Sequence, residues 1–125
     1  MTIVAADSHR SVTTPNATMT TLASPTLGEA SASLWRVEME PGAQGPEHAF
    51  VGEVLWTITE GTATLILAGV ESEVRAGDTA VLPADVPRTW IAGADGFIAL
   101  VTTSAPGGVW RDGDPDTVAV PPWVR

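Results

Sequence analysis

The chain has 125 residues, 44% of them hydrophobic, with 6 Lys plus Arg set against 15 Asp plus Glu for a formal charge of -9. That length carries one hydrophobic core rather than two comfortable domains, and an acidic chain without a basic cluster is poorly suited to neutralise phosphates, so nucleic acid and anionic membrane are not expected as partners. Cysteine is absent, which removes disulfides, thiolate catalysis and Cys-ligated zinc.

Residues 1–11 lack a basic stretch followed by an apolar one, and no run approaches the ~20 apolar residues of a membrane span. A soluble, cytoplasmic protein is therefore expected. With 12 Gly and 10 Pro, and few segments able to sustain a helix, strands joined by tight turns fit better, and the expected fold class is all-β.

Residues 1–23, rich in Thr, Ser and Ala with little periodicity, read as an N-terminal arm, either loose or an exchanged edge strand on a neighbouring sheet. From Ala32 the pattern sharpens: Trp35, Val37 and Met39 alternate with Arg36, Glu38 and Glu40. This period of two predicts a strand with the first set facing inward. Pro41-Gly42 ends it, a polar loop follows, and residues 53–59 resume with Val54, Trp56 and Ile58 on one face before a turn expected at Glu60-Gly61.

Strands over residues 62–67 and 71–75 follow, divided by Ala68-Gly69 and closed by Ala76-Gly77-Asp78, where the Asp78 carboxylate is expected to cap the turn. Residues 79–82 form an apolar strand closed by Pro83. After the Asp85-Val86-Pro87 turn, strands over residues 88–91 and 97–103 complete the series. Seven or eight strands at this spacing imply a sandwich or a closed barrel spanning residues 24–105.

The extension over residues 106–125 contains Pro106-Gly107-Gly108, Asp112-Gly113-Asp114-Pro115 and Pro121-Pro122, which interrupt any ladder. It also carries Val109, Trp110, Val118, Val120 and Trp123. An exposed tail rarely holds two Trp, so this one is expected to pack across the barrel or onto a second subunit.

Two sets of turn residues then stand out: Pro41-Gly42-Ala43 with Pro46-Glu47-His48-Ala49-Phe50 and Glu60-Gly61, and Ala76-Gly77-Asp78 with Pro83-Ala84-Asp85-Val86-Pro87. On these residues the chain resembles a small single-domain cupin over roughly residues 34–103. The resemblance implies a cupin-type jelly-roll β-barrel and a homodimer.

In metal-dependent cupins the first signature supplies two His and a Glu, and the second a further His. Here those positions hold His48, Phe50, Val54 (with Glu53 one residue early) and Arg88. A divalent ion normally needs at least three imidazole or carboxylate ligands, and Phe, Val and Arg supply none. No metal and no other cofactor is therefore expected. The alternative is a one-residue irregularity that turns Glu53 inward, so that His48 and Glu53 share an ion with waters.

By period-two counting, Trp35, Trp56 and Trp90 face the interior with Phe50, beside His48 and Arg88. These aromatics either fill the core or line a pocket for a flat, largely apolar or aromatic organic ligand. His48 is either a hydrogen-bonded remnant of a metal site or a general base or acid. Arg88 either pairs with Glu53 or Asp85, or holds a carboxylate, phenolate or enolate. Glu53 points outward in the counted register; turned inward, it orients His48 or serves as the partner acid.

Cupins include epimerases, dioxygenases, decarboxylases, cyclases, isomerases, and non-catalytic sensors and storage proteins, so the fold alone selects no activity. Lacking the ligands for a redox metal and any Cys, the chain is read as a metal-independent cyclase, isomerase or dehydratase acting on a small aromatic or polyketide-like molecule. His48, Arg88 and Glu53 are its candidate catalytic residues, and Trp35, Phe50, Trp56 and Trp90 its candidate binding residues. The other readings are a non-catalytic small-molecule binder and a metal-dependent cupin using His48 and Glu53.

Overall fold

The computed structural model describes residues 1–125. After a single 3-10 turn at Ala6–Ser8 the chain forms β1 (Arg10–Thr13), β2 (Thr18–Ala23), β3 (Ala32–Met39), β4 (His48–Phe50), β5 (Val54–Leu67), β6 (Val70–Arg75), β7 (Thr79–Leu82), β8 (Arg88–Ser104), β9 (Val109–Arg111) and β10 (Asp114–Ala119). No helix is long and apolar enough to cross a membrane.

Alternation explains β3. Ser33, Trp35, Val37 and Met39 are buried, while Leu34, Arg36 and Glu38 lie on the outer face, as side chains on successive residues of a strand must. Val54, Trp56 and Ile58 do the same in the first half of β5. Val54, Ile58, Leu82 and Val101 have no exposed surface, and each such side chain contributes about 1.5–3 kcal/mol relative to solvent exposure.

Two expected breaks are absent. Glu60-Gly61 does not reverse the chain, and residues 88–104 form one strand where two were expected. The left-handed conformation of Gly61 (φ 79°) is absorbed as a register shift within β5, opposite Gly96 (φ 69°) in β8. The backbones approach so closely here that a Cβ on Gly61 would lie 2.0 Å from the Gly96 carbonyl oxygen. Such bulges bend a strand without ending it.

Both long strands therefore change partners along their length. Residues 54–57 of β5 pair with β7 and residues 62–67 with β6. On its other edge β5 pairs first with residues 97–103 of β8 and later with residues 88–92. The bends fold the sheet over itself, so Trp35 of β3 meets Phe50 of β4, and Trp56 meets Trp90.

The expected closure into a jelly-roll barrel is not found. The ladder runs as an open path β1-β2-β3-β8-β4-β9-β10, with β5 branching from β8 and carrying β6 and β7. Its edges are ill suited to closing. β10 is exposed throughout and holds Asp114, Pro115 and Asp116, and β6 presents Glu71, Glu73 and Arg75. Charges and a proline that lacks an N–H block further strand pairing.

Both ends of the chain pack on this framework. β1 and β2 form a hairpin added to β3 of the same chain. Beyond β10 the tail returns across β2 and β3: the hydroxyls of Thr21 and Ser24 donate to the Trp123 and Arg125 carbonyls, each at 2.8 Å, and Ser33 donates to the Val124 carbonyl. Val124 and Trp110 are buried within the single chain.

Candidate functional site

Between the folded halves of the sheet lies a cavity of about 360 Å³. Trp35, Phe50, Trp56 and Trp90 all line it, although each is at most 7% exposed. Trp35 and Phe50 stack with centroids 6.0 Å apart, and Trp56 and Trp90 at 4.4 Å, with Phe97 packed edge-on against the second pair. The aromatics thus pack together as core and present apolar wall to the cavity, combining what the sequence left as alternatives.

The polar part of the lining depends on strand register. β4 lies between β8 and β9, and its His48 pairs with Arg88 on one side and Arg111 on the other. Residues directly opposite one another in a ladder project to the same face. An imidazole therefore sits in a row between two cations.

The His48 Nδ1–H donates to the Pro46 carbonyl at 2.9 Å. Because a carbonyl only accepts, this bond places the proton on Nδ1 and leaves Nε2 with its lone pair free. Burial lowers the His48 pKa below its ordinary 6.5; the Pro46 bond opposes this shift, and the charges of Arg88 and Arg111 reinforce it. The neutral ring is the form favoured at neutral pH.

Arg88 and Glu53 are not brought to the cavity. Arg88 is 1% exposed and turns back on its own loop, its Nε–H and Nη2–H donating to the Val86 and Pro83 carbonyls, each at 3.0 Å. Its guanidinium carbon lies 5.7 Å from the Phe50 ring centroid. It forms no ion pair with Glu53 or Asp85; Asp85 instead accepts from the Trp110 Nε1–H at 3.0 Å. Desolvation lowers the Arg88 pKa to about 10, which leaves it charged at neutral pH. Glu53 is exposed, and only its backbone carbonyl is engaged, by the Thr103 hydroxyl at 2.8 Å. Asp78 caps its turn by accepting from the Arg75 backbone N–H at 3.0 Å.

Several lining residues escaped the sequence reading, chiefly Arg111, Asn16 and Trp123. Asn16 lies in the β1–β2 turn, where the Thr14 hydroxyl accepts from the Asn16 and Ala17 N–H groups, each at 3.2 Å. For Arg111 a signal existed. Alternation along Val109-Trp110-Arg111 separates Trp110, bonded to Asp85, from the two residues that reach the cavity.

The positions that carry metal ligands in metal-dependent cupins hold His48, Phe50, Val54 and Arg88. No three His, Cys, Asp or Glu side chains come together anywhere in the chain to hold an ion. With Glu53 on the surface, His48 is the sole imidazole or carboxylate lining the cavity. These residues do not fit a divalent ion.

An open all-β sheet folded around an aromatic cavity, with a histidine at the first signature, defines the class. The cupin-domain profile matches residues 35–103, and the chain belongs to the cupin family. No curated protein matches it. Among solved structures it is similar to an oxalate oxidase (22% identity, TM-score 0.69, covering 80% of this chain and 57% of that one). It is also similar to salicylate 1,2-dioxygenase from Pseudoaminobacter salicylatoxidans (18%, 0.72, 84% and 31%) and to the coconut allergen cocosin (23%, 0.71, 80% and 30%). The chain spans from under a third to just over half of these proteins, and at such identities the likeness establishes the fold alone.

Proposed function

We propose that the protein binds a small, flat, largely apolar organic molecule in the aromatic cavity and moves a proton on it without a metal, as a cyclase, isomerase or dehydratase does. The observation that carries this reading is the free Nε2 of His48, on a ring fixed through Nδ1 and lowered in pKa, beside a cavity walled by aromatics. Nε2 takes a proton from an acidic C–H or O–H of the ligand and returns it at a second position. The positive charges of Arg88 and Arg111 favour the anion formed in between. Arg88 acts through its field from beneath Phe50 rather than by contact.

The test uses β-tetralone, a flat ketone with acidic α-hydrogens, in deuterium oxide. The protein is expected to accelerate α-hydrogen exchange, seen by proton NMR, and His48→Gln to lose about 10²–10⁴ of that rate while tryptophan fluorescence still reports binding. A second reading, binding without conversion, is favoured by the lack of any cavity carboxylate to act as partner acid. Saturable binding with no exchange beyond the buffer rate decides for that reading against the enzyme.

A further inference from the structure

The cavity differs in charge from the rest of the molecule. The chain carries 15 Asp plus Glu, yet none lines the cavity, and Arg111 is the single cation that does. Its guanidinium forms no hydrogen bond and no ion pair within the chain, although Asp112 and Asp114 are close in sequence. An arginine left unpaired in so acidic a protein, beside an apolar cavity, has its five donors available to an incoming group.

A second observation lies deeper. Trp90 lines the cavity and is 3% exposed, and its Nε1–H is buried without a partner. A buried donor left unsatisfied carries a desolvation penalty, and most such donors in folded proteins have partners. An acceptor atom on a bound ligand removes that penalty.

We infer that Arg111 is an anion-recognition residue and that the ligand is an aromatic or polyketide-like carboxylate. Its carboxylate lies against Arg111 at the exposed end of the cavity. Its planar body lies among Trp35, Phe50, Trp56 and Trp90, and an oxygen substituent accepts from the Trp90 indole. The planar guanidinium fork matches a carboxylate in two-point contact, which a point charge does not. The free His48 Nε2, on the strand next to Arg111, is then close to the acidic end of the bound molecule. This inference rests on the cavity reading above and adds the charge and class of the ligand.

Calorimetric titration with β-naphthoate and its neutral amide, β-naphthamide, separates the two claims. The wild-type protein is expected to bind the carboxylate about tenfold more tightly than the amide, a preference that shrinks as salt screens the exposed guanidinium. Arg111→Gln is expected to bring the two probes within about twofold of each other while the amide still binds, which also reports an intact cavity. Arg111→Lys is expected to keep part of the preference. Equal affinity of the wild type for both probes, or a preference that survives Arg111→Gln, overturns the anion site and leaves the cavity reading standing. No binding of either probe, by calorimetry or by a change in tryptophan fluorescence, overturns both.

Discussion

Arg88 is a charge with almost no solvent contact and no carboxylate partner, and replacing it with methionine asks what holds it there. Burial lowers its pKa from 12.5 to about 10, which corresponds to a desolvation cost of about 3 kcal/mol. Opposing this are two hydrogen bonds from the cation to the Val86 and Pro83 carbonyls, each at 3.0 Å, taken at about 2 kcal/mol apiece. The Phe50 ring adds about 1 kcal/mol. Arg88→Met recovers the desolvation and forfeits the rest, so the expected net loss is about 2 kcal/mol. Urea denaturation followed by tryptophan fluorescence measures it as a lower midpoint at unchanged slope. The same substitution removes one of the charges that depress His48, so the His48 pKa, followed by NMR, is expected to rise. A variant as stable as the wild type would refute the reasoning, because the carbonyls and ring would then fail to outweigh desolvation, as happens when some buried ion pairs are replaced by apolar residues.

Two further outcomes follow from the geometry. With burial holding His48 below 6.5, the unfolded chain binds more protons than the folded one in the window beneath that value. The His48 contribution to stability is therefore complete above pH 6.5 and is lost as pH falls through the folded pKa; urea midpoints across this range should fall less steeply in His48→Gln, and identical slopes would count against the shift. Gly61→Ala places a methyl in a left-handed conformation against the Gly96 carbonyl, and a loss of about 3 kcal/mol is expected from backbone strain and overpacking together. A loss under about 1 kcal/mol would mean that β5 and β8 separate there at little cost.

The inward residues were legible because alternation is local: Trp35, Val37, Met39, Val54, Trp56 and Ile58 could be assigned to the buried face by counting. The cupin signatures were legible for a related reason, since prolines and glycines mark the turns whose backbone they favour. The loss of the ligand set at Phe50, Val54 and Arg88 needed no coordinates.

Other features belong to contacts between distant segments. A glycine with positive φ serves a turn or a bulge equally well, and only the close approach of Gly96 in β8 made Gly61 the second. Closure depends on what strand edges meet, and the charged, exposed edges of β6 and β10 leave the sheet open. The arginine that reaches the cavity was decided the same way. Arg88 and Arg111 both pair with His48, but Arg88 turns its Nε and Nη2 to carbonyls of its own loop, leaving Nη1 buried without a partner, while Arg111 finds no partner within the chain. Residue type and spacing determined that His48 and the aromatics would share one interior; the non-local pairing of β4 with β9, which no local periodicity encodes, determined which cation stands at its entrance.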